Sequence, residues 1–402
     1  MSLVPIDAPL RPALADGVHL NLSDEDYFGQ DALGSTDLVS LSKKRWGWWW
    51  SSRHNRRRKE KVNKDRWFGT ALHAIVLEGV AAYEARYAVE PDPREYPNAI
   101  NTIPEMKKAL TDAGFRLSGV SNWRAADWRA AMRTNMPSTP VWDNVLEDAK
   151  DRALGREMVS SDDDWTLRFM RDVANSVERT DNIDIRALFD DALPRMAEVS
   201  VFWTEAGVRR RARLDYMVPA FDLDLKSMGT WKGRPLPFEI GEISAQRGLD
   251  IQRADHFDAR VEIYRAIAEG RVYGGSPEQR NWIATFPERA PEWDYVWMFY
   301  QKPDMTDGRA PVILPVYDHS WETYPGGERV PSLIRSYGMA KKATALDFYR
   351  HMVATQGLDT PWARVEPLHY TREVRDHPHI SYPHWIAEEH PNAPEAYEVT
   401  ND

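Results

Sequence analysis

The chain has 402 residues, a formal net charge of −10, 42% hydrophobic residues and no cysteine. The absence of cysteine excludes disulfides, cysteine-ligated zinc sites and iron–sulfur clusters, and the acidic balance argues against a protein that coats DNA nonspecifically. The length predicts one elaborated domain, or a core with inserts, rather than two equal domains. Because the sequence shows neither a signal segment nor an apolar run of membrane-spanning length, we expect a cytoplasmic protein without a membrane partner.

The first half of the chain predicts mainly helices. Residues 1–20 are proline-rich and predict irregular structure, whereas Ser23 and the acids after it predict a capped helical turn at 21–27. Apolar residues at helical spacing predict further helices, at 35–50, 66–86, 104–115, 122–133, 140–155 and 164–190.

From about residue 196, β-branched and aromatic residues at short spacing predict strands. Ala206 and Gly207 predict the turn of a hairpin, and Gly270 predicts the end of a helix. In chain order we expect three strands, a loop, a helix, two strands, a long helix and an extended tail, at 197–204, 207–217, 221–227, 229–241, 247–269, 294–301, 310–317, 328–356 and 361–402. This order predicts an α/β fold with a mixed central sheet flanked by helices.

Asp215, Asp224 and Lys226 carry the strongest chemical signal. Residues i and i+2 of a strand point to the same face, so we expect Asp224 and Lys226 to project together, with Asp215 reaching them from the neighbouring strand. Two carboxylates can bind Mg²⁺ or Mn²⁺, and an ammonium beside them can orient a water. These groups suit metal-assisted phosphodiester hydrolysis; strand-end charges that face solvent are the alternative. Asp222 competes with Asp224, and the spacing to Lys226 favours Asp224.

Other polar residues allow two interpretations each. Glu198 lies on a strand expected to pair with that of Asp215, so it is either an added metal partner or an exposed strand residue. Two basic clusters either grip DNA phosphates or form solvated faces; they contain Arg209, Arg210, Arg211 and Arg213, and Arg56, Arg57 and Arg58. The tryptophans just before the second cluster either stack on bases or anchor a core; they are Trp46, Trp48, Trp49 and Trp50.

The order of several segments resembles the PD-(D/E)XK nucleases, in particular their RecE/RecB-like, exodeoxyribonuclease VIII-like phage branch. Residues 213–227 carry the D…D-x-K pattern, and residues 68–78 are similar to the G-x-x-x-H-x-x-x-L-E helix of the family. Residues 198–215 resemble the paired strands that lead to the first metal aspartate. Residues 34–41 resemble the N-terminal S-x-S-D-L helix start, and residues 297–301 the strand after the glutamine helix.

That glutamine helix, with its Q-x-x-x-Y signature, is similar to residues 250–257. Gln252 matches the glutamine, whereas His256 stands where the family has tyrosine. The resemblance covers most of residues 30–350, and residues 90–165 match no segment of the family.

The resemblance implies a restriction-endonuclease-like core with a particular domain organisation. A helical arm at 1–60 precedes a nuclease domain at 61–360, which carries a helical insertion at about 90–190, and an extended tail follows at 361–402.

For the site, the resemblance implies one or two Mg²⁺ or Mn²⁺ ions held by Asp215, Asp224 and His73, with Lys226 orienting the attacking water. Without the family pattern, His73 would be a hydrogen-bonded core histidine and Gln252 an ordinary polar residue of an amphipathic helix. With the pattern, His73 is a metal ligand and Gln252 supports the site or contacts DNA.

For activity, the resemblance implies a DNA exonuclease of the phage recombination type that degrades duplex DNA from the 5′ end, in the bacterial host cell if phage-encoded. A single-strand annealing protein and a homo-oligomeric ring are the implied partners. A RecB-like endonuclease, a processing nuclease for flaps or single strands, and an inactive nuclease-fold module that binds DNA are the alternatives.

Overall fold

The computed structural model describes residues 12–58, 64–176, 196–228, 236–303, 308 and 310–363. Strands in this part of the chain range from three to ten residues in length. Their bounds are β1 (Gly17–Leu20), β2 (Tyr87–Val89), β3 (Glu157–Val159), β4 (Ala197–Glu205), β5 (Val208–Met217), β6 (Phe221–Met228), β7 (Val272–Gly274), β8 (Asp294–Gln301), β9 (Val312–Asp318), β10 (Trp321–Thr323) and β11 (Arg329–Pro331).

A mixed seven-stranded sheet forms the centre of the described chain, with strand order β7-β1-β4-β5-β6-β8-β9. Neighbouring strands are antiparallel except in the β1–β7 and β6–β8 pairs, which are parallel. β2 pairs with β3, and β10 pairs with β11, in two separate small sheets. The predicted α/β fold with a mixed central sheet flanked by helices is confirmed.

Helices make up most of the N-terminal half that the structure describes; several pack on the central sheet, and two consecutive ones contribute to a separate apolar cluster. Their bounds are α1 (Asp24–Phe28), α2 (Ser35–Lys44), α3 (Gly47–Ser51), α4 (Lys64–His73), α5 (Val80–Arg86), α6 (Ile103–Asp112), α7 (Ala125–Asn135), α8 (Trp142–Ala153), α9 (Ser161–Ser176), α10 (Leu236–Arg247), α11 (Leu249–Ala268), α12 (Pro277–Ala284), α13 (Phe286–Arg289) and α14 (Leu333–Gln356). A π-helical turn, Ala74–Glu78, follows α4 directly.

The alternation of side chains along β6 gives the sheet two different faces. Leu223 and Leu225 join an apolar core with residues of α4, the π-helical turn and α9. Burial of each such side chain contributes about 1.5–3 kcal/mol, which fixes the orientation of the strand. Asp222, Asp224 and Lys226 occupy the alternate positions, and the first two accept hydrogen bonds from α11.

Predicted helix bounds are wrong where single residues leave the helical conformation. The helix predicted at 35–50 is divided after α2, because Arg45 has a φ of 44°. The helix predicted at 66–86 is divided by Gly79, whose φ is 98°. The helix predicted at 328–356 begins only after β11, as α14.

The loop predicted at 229–241 is wrong from Leu236 onward, because α10 begins there. Glycine, proline and tryptophan in this segment predicted a loop, but packing against β8 stabilises a helix. The helix predicted at 247–269 is confirmed as α11, which Gly248 separates from α10 with a φ of 69°.

Some short elements have no counterpart in the sequence pattern. The prediction of irregular structure at 1–20 is wrong for β1, which lies between β4 and β7. The strand β7 and the helices α12 and α13 also lack a predicted equivalent. The predictions for 1–11, 177–190, 229–235 and 364–402 fall outside the described residues, and the division into arm, nuclease domain and tail stays a prediction.

Candidate active site

Three potential metal ligands from different elements converge beside the central sheet. The ligand atoms of His73, Glu198 and Asp215 all lie within 4.8 Å of one another. His73 Nδ1 is 3.6 Å from Asp215 Oδ2 and 3.9 Å from Glu198 Oε1. Each of the three side chains is partly exposed, so an ion or a water molecule can reach them.

Asp215 lies where β5 and β6 separate. The two strands pair at Tyr216 and Met217, close to the turn that joins them. Beyond this short ladder, Asp215 Oδ2 accepts a hydrogen bond of 3.1 Å from the Leu225 N–H group. The gap between the strands therefore holds a carboxylate that a continuous ladder would exclude.

Glu198 reaches the same point through an unusual backbone conformation in β4. Its φ is 55°, in the left-handed region that residues other than glycine rarely adopt. The flanking residues Ala197 and Val199 keep their ladder pairs with β5, so the distortion is local. A conformation of this kind costs about 1–3 kcal/mol and is common at functional sites.

His73 closes the cluster from the end of α4. Its Nε2 lies 3.3 Å from the Leu225 carbonyl oxygen, which can only accept, so Nε2 carries the proton and Nδ1 faces the carboxylates. Burial lowers the pKa of His73, but the charges of Asp215 and Glu198 raise it to a net value of about 9. The two carboxylates thus attract a positive charge to this point.

Asp224, Lys226 and Gln252 form a second group beside the first. Lys226 Nζ lies 2.6 Å from Asp224 Oδ2, as expected from their i and i+2 positions. Gln252 Nε2 donates to Asp224 Oδ1 at 3.1 Å. Burial raises the pKa of Asp224, the charge of Lys226 lowers it, and the charge of Asp215 raises it again.

The structure thus divides the predicted ligand set. Among the described residues, the cluster that could hold an ion joins His73, Asp215 and Glu198, and it does not include Asp224. The two groups still interact, because the charge of Asp215 acts on Asp224 and the charge of Lys226 acts on His73. The sequence allowed Glu198 to be either an added metal partner or an exposed strand residue, and the structure places it in the cluster.

Asp222, the competitor of Asp224 in the sequence, has a different partner. Its Oδ1 accepts a hydrogen bond of 2.7 Å from Arg260 Nη1, and both side chains are buried. Burial raises the pKa of Asp222 to about 6, while the charges of Arg260 and Arg253 lower it. Asp222 therefore joins β6 to α11.

The donor set fits a hard divalent cation. Carboxylate oxygens suit Mg²⁺ and Mn²⁺, and an imidazole nitrogen is accepted more readily by Mn²⁺. The Leu225 carbonyl fixes the orientation of the His73 ring, which is how metal-binding histidines are usually held. His73, Glu198 and Asp215 could therefore hold an ion.

His256 and Tyr295 form a pair behind Asp224. The Tyr295 hydroxyl lies 2.9 Å from His256 Nδ1, and both residues are buried. Sequence analysis placed His256 at a tyrosine position but missed Tyr295, which lies on β8. The continuous apolar run of that strand gave no signal that this hydroxyl approaches the site.

The contacts of the β5 arginines contradict the predicted DNA-binding role for Arg210, whereas for Arg209, Arg211 and Arg213 that role stays a prediction. Arg210 is fully buried between two carboxylates, so it cannot reach a duplex. Arg211 donates to backbone carbonyls near α1, and Arg213 binds a backbone carbonyl and a carboxylate there. Arg209 donates to a carbonyl of the same N-terminal segment. These arginines attach the N-terminal segment to β5.

The second basic cluster has a different exposure. Arg56 and Arg57 are exposed and Arg58 is partly buried, in the segment after α3. A role of these arginines in DNA binding stays a prediction.

The tryptophans before that segment belong mainly to the core. Trp48 and Trp49 are buried, and their indole N–H groups donate to Asp37 and to the Leu358 carbonyl. Of the two interpretations offered by the sequence, core anchoring is therefore right for these two. Trp50 is 54% exposed and donates to a backbone carbonyl.

Known proteins show little similarity to this chain in sequence or in structure. No protein-family model matches the sequence, and no curated protein matches it. A solved structure from Eubacterium rectale, under the name "Putative exonuclease", aligns over 93% of this chain and 100% of its own with 11% identity and a TM-score of 0.38. A similarity at that level supports no functional argument. In the described part of the chain, no helix combines the length and the apolar character needed to cross a bilayer.

Proposed function

We propose that this protein is a divalent-metal-dependent deoxyribonuclease that hydrolyses phosphodiester bonds. The observation that supports this most is the convergence of His73, Glu198 and Asp215 beside the Asp224–Lys226 ion pair. A set of oxygen and nitrogen ligands next to an ammonium suits phosphodiester hydrolysis better than any chemistry that needs a thiol or hydroxyl nucleophile.

Each residue has a role in this proposal. His73, Glu198 and Asp215 would hold Mn²⁺ or Mg²⁺, with Asp224 as the predicted further ligand of one or two ions. A bound ion would supply Lewis-acid stabilisation of charge on the phosphate oxygens. Lys226, fixed by Asp224, orients the attacking water and stabilises its developing negative charge.

Gln252 has a supporting role. Its amide holds Asp224 Oδ1 from α11, so that the carboxylate keeps one orientation toward Lys226. In the same way, the Leu225 peptide holds both Asp215 and His73 through its N–H and C=O groups.

We further propose the RecE-like type of exonuclease, acting 5′ to 3′ on linear duplex DNA in phage recombination. The ordered motifs at 34–41, 68–78, 213–227 and 250–257 support this proposal. A single-strand annealing protein, a ring-shaped homo-oligomer and a cytoplasmic location belong to the same proposal.

The nuclease proposal is tested by cleavage of end-labelled linear duplex with Mn²⁺, Mg²⁺ or EDTA. Asp224→Asn and Lys226→Met should each lower kcat by at least about 100-fold, because general acid–base and water-orienting groups contribute at that scale. His73→Ala should raise the Mn²⁺ concentration needed for half-maximal rate. The exposed ion pair of α6 provides matched controls, and Lys108→Met and Asp112→Asn should keep the wild-type rate.

Wild-type cleavage rates for Asp224→Asn or Lys226→Met would contradict the site assignment. Cleavage of covalently closed circles, which offer no ends, would indicate a RecB-like endonuclease instead of an exonuclease. Binding of DNA without any metal-dependent cleavage would indicate an inactive nuclease-fold module.

A further inference from the structure

Arg247 is the last residue of α10, and its side chain is exposed. It lies on the side of the helix that packs against β8. Ile240 and Ile243 of this helix join an apolar cluster with Tyr295 and Trp297 of β8. Arg247 follows Ile240 by seven positions and Ile243 by four, so it lies on the same side of the helix. The helix side that covers the sheet therefore ends in a guanidinium group.

The end of α10 is fixed by its neighbours, five residues before the Gln252 that contacts Asp224. Gly248 ends the helix, and a Cβ at this position would lie 2.8 Å from a methyl carbon of Val39 on α2. Lys43 of α2 donates to two backbone carbonyls in the last turn of α10. On the other side of the glycine, Gln252 in the first turns of α11 touches Asp224. The junction is thus held between α2 and the candidate site.

Arg247 makes no hydrogen bond or ion pair within the part of the chain that the structure describes. Partial burial lowers the pKa of Arg247, and the charge of Asp224 raises it, so the two groups interact without being paired. The arginines of α11 behave differently, because Arg253 and Arg260 each bind a buried carboxylate. An exposed guanidinium beside the site that has no partner among the described residues is available for an anion from solution.

We propose that Arg247 binds a phosphodiester group of the nucleic acid substrate beside the Asp224–Lys226 pair. This inference rests on the proposed nuclease function, and it names Arg247 as a substrate-positioning residue of that site. A guanidinium presents two parallel N–H groups to two phosphate oxygens, which fixes orientation as well as distance. Because Lys43 and Gly248 hold the helix end, the group needs little reorganisation before it binds.

Steady-state kinetics on the full chain test this proposal, with an end-labelled linear duplex and Mn²⁺. Arg247→Gln should raise KM on the order of tenfold, because one charge-assisted hydrogen-bonding group is lost. The change in kcat should be smaller, since the residue binds substrate without orienting the water. Arg247→Lys should recover part of the loss, because it keeps the charge but not the planar fork.

Arg116→Gln is the matched control, because Arg116 is an exposed arginine in the segment after α6. Its KM should equal that of the wild type, and all three variants should melt at the wild-type temperature. If the wild type cleaves DNA and Arg247→Gln keeps the wild-type KM, the phosphate-binding role is overturned and the nuclease proposal stands. An equal rise in KM for Arg116→Gln also overturns it, since loss of any positive charge would then suffice. If the wild type cleaves no DNA, both proposals fall.

Discussion

At the residue scale, burial decides which groups around Asp224 carry a charge. Asp224 is only 1% exposed, and the contacts of Lys226 and Gln252 offset part of the cost of burying its carboxylate. His256 lies in the same buried layer, where burial lowers its pKa to about 4 although the charge of Asp224 raises it. His256 is therefore neutral near pH 7, and its Nδ1 is paired with the Tyr295 hydroxyl.

The depressed pKa of His256 predicts a loss of stability in acid. Between its ordinary pKa of 6.5 and the folded value of about 4, the unfolded chain binds more protons at this residue than the folded chain does. The free energy of unfolding should therefore fall as pH drops through this window, by about 3 kcal/mol at pH 4 from His256 alone. Urea unfolding of the wild type and of His256→Asn, from pH 7 to pH 4, measures this contribution.

His319 serves as the control for that experiment. It is an exposed histidine whose Nδ1 lies 2.9 Å from an Asp294 oxygen, so it is not part of a buried layer. His319→Gln should keep the wild-type pH dependence, whereas His256→Asn should show a shallower one. Identical slopes for His256→Asn and the wild type would contradict a neutral, buried His256.

Local chemistry was predictable from the sequence where it depends on short spacing. The common direction of Asp224 and Lys226 follows from the strand period alone, and the structure places their charged atoms 2.6 Å apart. The period of β5 places Arg210 on the apolar side of the strand with Ala212 and Leu214. The carboxylates that pair with it, Glu205 and Asp255, come from other elements and leave no signal in the strand pattern. The approach of Glu198 to His73 depends on a backbone distortion that no residue type signals.

At the scale of elements, a buried network of charges joins β5, α11 and α14. Arg210 of β5 and Asp255 of α11 are fully buried and lie 2.6 Å apart. Lys342 of α14 is nearly as buried and binds Glu205 at 3.0 Å and also Asp258. Every charge in this network has an opposite partner, which offsets the cost of removing it from water.

Asp255 is the member whose loss should cost most. Asp255→Asn would leave Arg210 buried without its closest counter-charge, and breaking such a pair typically costs about 3–5 kcal/mol. The free energy of unfolding, measured in urea at pH 7, should fall by at least about 3 kcal/mol.

The matched control for that change is Asp258→Asn. The Asp258 side chain is 39% exposed, so the pair it forms with Lys342 is solvated and its loss should cost about 1 kcal/mol or less. If the Asp255 and Asp258 variants lost the same free energy of unfolding, burial would not determine how much each ion pair contributes to stability.

The sequence predicted which segments form helices and which form strands, from the spacing of residue types and the segment length. It did not predict the residues at which those elements are interrupted. Gly270 predicted the end of the helix that the structure shows as α11, and the β-branched and aromatic runs predicted β5, β6 and β8. The segment of α10 contains residues that disfavour helices in isolation, and its packing against β8 overrides that preference. Sequence reasoning placed Arg247 at the start of the helix predicted at 247–269, whereas the structure places it at the end of α10, before Gly248.

At the scale of the whole molecule, distant parts of the chain meet in one aromatic cluster. Trp362, after α14, lies 5.0 Å from Trp48 of α3, measured between ring centroids. It also contacts Phe348 and Tyr349 of α14, and its indole N–H donates to the Gly357 carbonyl. Sequence analysis assigned residues from 361 onward to an extended tail, so a core role for Trp362 was not predicted; a contact across this sequence distance leaves no local pattern.

Trp362→Ala should therefore loosen the attachment of α2 and α3 to the rest of the molecule. The side chain is fully buried, and replacing a buried tryptophan with alanine costs about 3–5 kcal/mol through lost burial and the cavity that remains. Trp165→Ala is the matched control, because Trp165 is 52% exposed on α9 and should cost less than about 1 kcal/mol. Chemical unfolding monitored by far-ultraviolet circular dichroism measures both losses independently of the change in tryptophan fluorescence. If Trp362→Ala lost no more free energy of unfolding than Trp165→Ala, this cluster would not attach α2 and α3 to the rest of the molecule.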